Sequence, residues 1–336
     1  MRNAFLLLSL TFLLETGACP APPDAVWESV LEACCEIIAD GHLAASGFFV
    51  DCKGTCLTCA HALLGVKKVE VLLRGGARRS ALLLGMDTAH DAAVLRVNLT
   101  GKERFTFLKR AKRFPEVCWR VFVAGCAVYR HGLILRGSVA SAETHFEYLP
   151  NLKTYVPVRY VSGMVPRGMS GGPWLNERGE VFGLQSGMLA HNDSMWGIAF
   201  VIPLESLDSF LADPKKARPA GDIGAAVEEF WEHRRSKTAR YGKDFKEGLL
   251  LTKVLIGGAC WEAGLREGDL ITAAAGKPCR YRDRFLSLVR SLEPGRFLVV
   301  EAVRVEGGKV KRRKVRLRLG DASRAWCMPV APGGGG

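Results

Sequence analysis

Three residues able to share one hydrolytic mechanism occur in order along the chain: His61 in "LTCAHALLG", Asp91 in "HDAAVLRV" and Ser170 in "RGMSGGPWL". A serine hydroxyl is a weak nucleophile until a base takes its proton, and the base works best when a carboxylate fixes its tautomer. The glycines around Ser170 let the backbone turn tightly, so that N–H groups can converge on one spot. A rival chemistry overlaps the histidine. "VDCKGTCLTCAH" spaces Cys52, Cys56 and Cys59 as C-x3-C-x2-C, three thiols that could ligate an iron–sulfur cluster. His90, the neighbour of Asp91, has no motif around it and reads as incidental.

Those side chains need a frame, and from about 45 to 210 the sequence is strand-like. Runs such as "SGFFVD", "VEVLLRGG", "DAAVLRV", "WRVFVAG" and "GEVFGLQSG" are separated by Gly, Asp and Asn, the pattern of an all-β barrel or sandwich. Ahead of them, Trp27, Val30, Leu31, Cys34 and Ile38 have helical spacing behind an Asp24 cap, and the last turn reads equally as a first strand. "DPKKARPAGD" has linker composition. It leads into "AAVEEFWEHRR", where Val227, Phe230 and Trp231 form one apolar stripe and predict a short helix.

In these segments the chain resembles the HtrA/Deg family of trypsin-like serine proteases, from about Ala45 to Pro203. "SGFFVDCKGTCLTCAH" matches the family's first hairpin and histidine, "DAAVLRV" its aspartate strand, and "VFVAGCAVYRHGLILRGSVASAE" the strand pair that follows. "GMSGGPWLNERGEVFGLQSG" matches the serine loop and "GIAFVIP" the strand closing the substrate pocket. The order His, Asp, Ser is that of chymotrypsin. The resemblance implies a mainly β protein: a chymotrypsin-like double β-barrel followed by a smaller PDZ-like α+β domain. It implies peptide hydrolysis through an acyl-enzyme, with Ser170 as nucleophile, His61 as base and Asp91 orienting it. Gly168 and Ser170 N–H would receive the oxyanion, and no metal or organic cofactor is required.

Two residues depart from the family pattern. Met169 stands where relatives carry asparagine or aspartate, so no carboxylate is available to pair with a freshly cut N-terminus. Met164, six residues before the serine, takes the specificity-pocket position, which implies a preference for apolar residues before the cut. If "TCLTCAH" is a strand, as the resemblance requires, Cys56 and Cys59 face opposite sides and lie roughly 10 Å apart along it. The cluster reading then fails, and the three cysteines become hairpin packing or disulfide partners.

"GLLLTKVLIGGACWEAGLREGDLITAAAGKPC" resembles a PDZ domain, a module that binds peptide C-termini by strand addition. The upstream "RYGKDFKE" matches the carboxylate-binding loop poorly, so no peptide-binding residue is assigned. The expected layout is a signal peptide at 1–18, a protease domain at 19–212, a linker with a short helix at 213–244, the PDZ-like domain at 245–320 and a flexible tail at 321–336. The leader rests on Arg2, the apolar run Ala4 to Leu14 and small residues 16–18; the run is too short to span a bilayer. Cleavage there would leave Cys19 first, an acceptor for a lipid anchor.

Eleven cysteines less Cys19 leaves ten, which could all pair in an oxidising compartment. The chain is therefore expected to be exported, periplasmic or secreted, possible tethering being through Cys19. The net charge of +13 is concentrated near the C-terminus, where Lys314, Arg316 and Arg318 alternate with Val315, Leu317 and Leu319 as on a half-buried strand. No nucleic acid partner is expected. Polypeptide substrates and, by resemblance, a homotrimer are. The alternative function is an idle protease fold that binds peptides or acts as a chaperone.

Overall fold

In a computed structural model the described residues are 24–323, without 102–103, 128–129, 192–193, 235–237 and 244. The leader, Cys19 and all but the first three residues of the 321–336 tail lie outside them. The first helix, α1 (Asp24–Ala33), ends where the apolar spacing changes period, and Cys34 begins a strand. Six strands close the first barrel: β1 (Cys34–Ala39), β2 (His42–Phe49), β3 (Thr55–Thr58), β4 (Val69–Leu73), β5 (Arg78–Asp87) and β6 (Ala92–Val97). Six more close the second: β7 (Arg120–Ala127), β8 (Arg130–Leu149), β9 (Thr154–Ser162), β10 (Pro173–Leu175), β11 (Val181–His191) and β12 (Ser194–Pro203).

Between the barrels, Phe48, Leu57 and Val94 of the first meet Ala124, Leu184 and Ile202 of the second in one buried cluster. Val30 and Ala33 of α1 seal it, and Trp27 lies against Phe122 with ring centroids 4.6 Å apart. A short helix, α2 (Asp208–Ala212), follows the second barrel.

The third unit begins earlier than the sequence pattern predicts. Gly221–Asp222 (β13) pairs with Gly320–Asp321 (β20), and Ala225–Glu229 (β14) pairs with Leu249–Val254 (β15). The stretch expected to be a helix is thus a strand followed by one 3-10 turn, Phe230–Glu232. Its helical stripe is coincidental: Val227 is buried in the sheet, whereas Trp231 is exposed. The sheet runs β14-β15-β16-β18-β19, with β16 at Leu270–Ala274, β18 at Phe297–Glu306 and β19 at Lys309–Arg318; β17 (Lys277–Pro278) pairs with β16. A short helix, α3 (Ala259–Glu262), and a longer one, α4 (Arg282–Ser291), complete the unit.

Strand β19 keeps the expected alternation, Leu317 buried and Arg316 and Arg318 exposed. The start of the predicted flexible tail is ordered: Asp321 is in β20, and Ala322 O accepts a bond of 2.6 Å from Thr88 Oγ1 of the first barrel.

Strand β8, twenty residues long, carries the β8–β9 hairpin out of its barrel and onto the third unit. Phe146 and Tyr155 join that unit's core beside Val227, Phe285 and Val289. The Tyr155 hydroxyl donates to Val227 O at 2.9 Å and accepts from Val227 N–H at 2.8 Å. Asp283 of α4 accepts from Phe146 N–H at 3.1 Å and lies 3.0 Å from His145 Nδ1. The edge strand β14 is thus met in cis by a phenol that takes both backbone groups of one residue.

Candidate active site

His61, Asp91 and Ser170 come from three separate loops, and the two barrels bring them together. His61 opens a 3-10 turn after β3, Asp91 sits between β5 and β6, and Ser170 precedes β10. Asp91 is fully buried at φ +49°, a left-handed conformation that Asp tolerates better than most residues. Its Oδ2 is 2.8 Å from His61 Nδ1, and its Oδ1 accepts from the His61 backbone N–H at 2.9 Å. The Ser186 hydroxyl donates to Asp91 Oδ2 at 2.5 Å. His90 turns away and pairs with Asp87 at 2.8 Å.

Ser170 Oγ is hydrogen-bonded to Ser186 O, to which it donates at 3.0 Å, and not to the imidazole. The sulfur of Cys59 lies 3.7 Å from His61 Nε2. Burial disfavours the His61 cation, but the Cys59 sulfur and the Asp91 carboxylate outweigh it, so the imidazole pKa is raised above 6.5.

The serine loop is locked by residues the sequence motifs did not single out. Ser46 Oγ donates to Gly168 O at 2.8 Å and accepts from Cys126 N–H at 2.9 Å, while Ser46 N–H donates to Ser170 O at 2.8 Å. Gly168 has φ +97°. A Cβ on Gly171, at φ +82°, would lie 2.2 Å from Ser46 O, so only glycine fits. Among the described residues, the N–H groups of Gly168 and Ser170 have no hydrogen-bond acceptor, and both lie in the turn that presents the serine.

Met169 answers the question its departure raises: it is fully buried among Val121, Val123, Trp174 and Val201. Apolar packing occupies the place of an ion pair. Met164 is 57% exposed, and a Cβ on Gly197 would lie 3.7 Å from its sulfur, which puts it beside β12. Ser186, in "GLQSG", was legible only as a lone hydroxyl in an apolar strand after the serine loop, and Ser46 as one in "AASGFF".

The cysteines need two corrections. The nine described ones are all thiols, so the pairing that an oxidising compartment would permit is not present among them. Cys35 and Cys56 approach to 3.5 Å between sulfurs, a hydrogen-bonding rather than a covalent distance. Cys56 and Cys59 do not face opposite ways: β3 stops at Thr58, the chain turns, and both enter the first barrel's core. Cys19 and Cys327 lie outside the described residues.

The sequence signature of the trypsin-like peptidase domain matches residues 45–184, which span all three candidate residues. Residues 45–184 are a trypsin-like peptidase domain by this match. It is 28% identical over 279 residues to a probable periplasmic serine endoprotease DegP-like of Ectopseudomonas mendocina, covering 82% of this chain and 56% of that protein. A DegP-like protein of Pseudomonas savastanoi pv. phaseolicola is 29% identical over 280 residues, covering 82% and 55%. The chain thus spans about half the length of these curated relatives. Among solved structures, the serine endoprotease from Yersinia pestis superposes with a TM-score of 0.55 at 20% identity, covering 88% of this chain and 97% of that one. The HtrA-type protease AlgW with decapeptide superposes at 0.60 and 18% identity, covering 88% and 97%. The peptidase domain and the unit after it therefore share the fold of HtrA-type proteases.

Proposed function

We propose that the chain is an exported serine endopeptidase that cleaves unfolded or misfolded polypeptides through an acyl-enzyme. The observation carrying this reading is the buried Asp91 carboxylate holding both the His61 ring and its backbone, next to a serine loop with two N–H groups free of protein acceptors. Rotation of Ser170 about Cα–Cβ breaks its bond to Ser186 O and turns Oγ toward His61 Nε2. Catalytic hydrogen bonds commonly tighten only when substrate binds. His61 then takes the serine proton and returns it to the leaving amine. Gly168 and Ser170 N–H receive the oxyanion; one such donor contributes about 3 kcal/mol. Met164, at the side of the pocket next to β12, favours an apolar residue before the cut.

The serine's bond to Ser186 O favours the second reading, an idle fold that binds peptides. A fluorophosphonate probe separates the two. A covalent adduct on Ser170 supports the peptidase; an unlabelled serine in folded protein supports the idle fold. The raised His61 pKa makes a further prediction. The base must be neutral to act, so activity grows as pH rises through that pKa. The acid limb of kcat/KM is expected above pH 6.5, and a limb below 6 would contradict it.

Periplasmic location follows the relatives' names, while the trimer and the lipid on Cys19 rest on resemblance alone. For the PDZ-like unit, a peptide C-terminus would add to β14, the strand whose Val227 is bonded to Tyr155. Peptide binding therefore requires the hairpin to withdraw. In Tyr155→Phe both bonds are lost, and stability in urea is expected to fall by about 1–3 kcal/mol. Anisotropy of a labelled apolar peptide C-terminus should show tighter binding in this variant. Unchanged stability would mean that the hairpin is not seated.

A further inference from the structure

A cavity of about 370 Å³ opens between β1 of the first barrel and the β7–β8 hairpin of the second, with Cys34, Glu36, Cys126 and His131 in its lining. Glu36 belongs to β1, and Cys126 and His131 to the β7–β8 hairpin. Among the described residues this is the one cluster in which three His, Cys or carboxylate ligand atoms lie within 4.8 Å of one another. We propose that Glu36, Cys126 and His131 form a binding site for a zinc-class divalent ion that clips the first barrel to the second.

The donor set selects the metal. One thiolate, one imidazole and one carboxylate suit zinc and its neighbours, whereas calcium and magnesium require oxygen donors. Tetrahedral zinc with ordinary bond lengths separates such ligand atoms by roughly 3.3–3.6 Å, so the widest pair must close by up to about 1.5 Å. His131 Nδ1 contacts Glu36 Oε1 directly, so an ion binding here replaces that bond and opens the pair as it draws in the sulfur.

The backbone supports the placement. The β7–β8 register shifts between Gly125 and Ala127, and a bulge of this kind re-aims a side chain, here that of Cys126. The fourth position faces the cavity, open to a water or to the Cys34 thiol on its wall. The Cys126 N–H donates to Ser46 Oγ, which donates in turn to Gly168 O. Glu36 is the register partner of Ser46 on β2. An ion bound here fixes Cys126 two hydrogen bonds from the serine loop.

The test is titration of the reduced mature protein with cobalt(II), followed by thiolate-to-cobalt charge-transfer absorption, and then displacement by zinc. One ion per chain is expected, and zinc should raise the unfolding midpoint. His131 is 66% exposed and Glu36 12%, so His131→Ala and Glu36→Gln should fold; each should weaken binding at least about tenfold. Cys126→Ala should abolish the charge-transfer band; should this core variant misfold by circular dichroism, the other two decide. Cys52→Ser and Cys118→Ser, at the more accessible thiols, should leave the titration unchanged. Binding weaker than about 0.1 mM, or a titration unaltered in both His131→Ala and Glu36→Gln, overturns the proposal.

Discussion

Ser170→Ala is expected to lower kcat/KM for a fluorogenic peptide by about 10⁶, to a residual rate set by the oxyanion donors and binding alone. The size of the effect follows from the division of labour. His61 and Asp91 can only activate a nucleophile, and Ser170 carries the one hydroxyl of the 167–172 turn, since the Ser46 hydroxyl beside it is committed to Gly168 O and the Cys126 N–H. The variant should fold normally. The lost hydroxyl makes one bond, to Ser186 O, of a kind that contributes about 1 kcal/mol, while Ser170 O still accepts from Ser46 N–H. Urea unfolding should therefore move little while turnover collapses. A variant that keeps more than about 1% of activity would place the chemistry elsewhere, since removing a triad serine has a far larger effect.

What the sequence made legible divides by the range of the interaction. The three candidate residues and the Gly168 turn sit in short motifs whose glycines answer to local backbone conformation, as the positive φ of Gly168 and Gly171 illustrates. The alternating basic strand β19 was legible for the same reason: its period is written in adjacent residues. Val227, Phe230 and Trp231 misled because β14 owes its conformation to pairing with β15, twenty or more residues further on. No local window contains that partner. The seating of Tyr155 on Val227 spans 72 residues and depends on how far β8 extends beyond its barrel. Cys56 and Cys59 show the opposite limit. Their sidedness turned on a strand ending one residue before Cys59, and strand ends are where period arguments are weakest.

Asp91→Asn is expected to lower kcat by about 10⁴ with the fold intact. Asn tolerates the left-handed conformation at φ +49°, so the backbone need not move. The direction of the amide is forced. Oδ1 of Asp91 accepts from the His61 backbone N–H, a donor that cannot change its role, so the Asn oxygen must stay there. Its NH₂ then occupies the site of Oδ2, where it meets His61 Nδ1 and the Ser186 hydroxyl. The hydroxyl can rotate to accept, and the imidazole can satisfy the amide only by accepting at Nδ1. That moves the ring proton to Nε2, the nitrogen that must be bare to take the proton of Ser170. The defect is a wrong tautomer rather than a lost contact, so KM should change much less than kcat. The His61 pKa should also fall, because a carboxylate that raises it is gone. NMR titration of the ring checks that shift independently of turnover. A loss of less than about tenfold would mean that Asp91 serves the fold and not the imidazole.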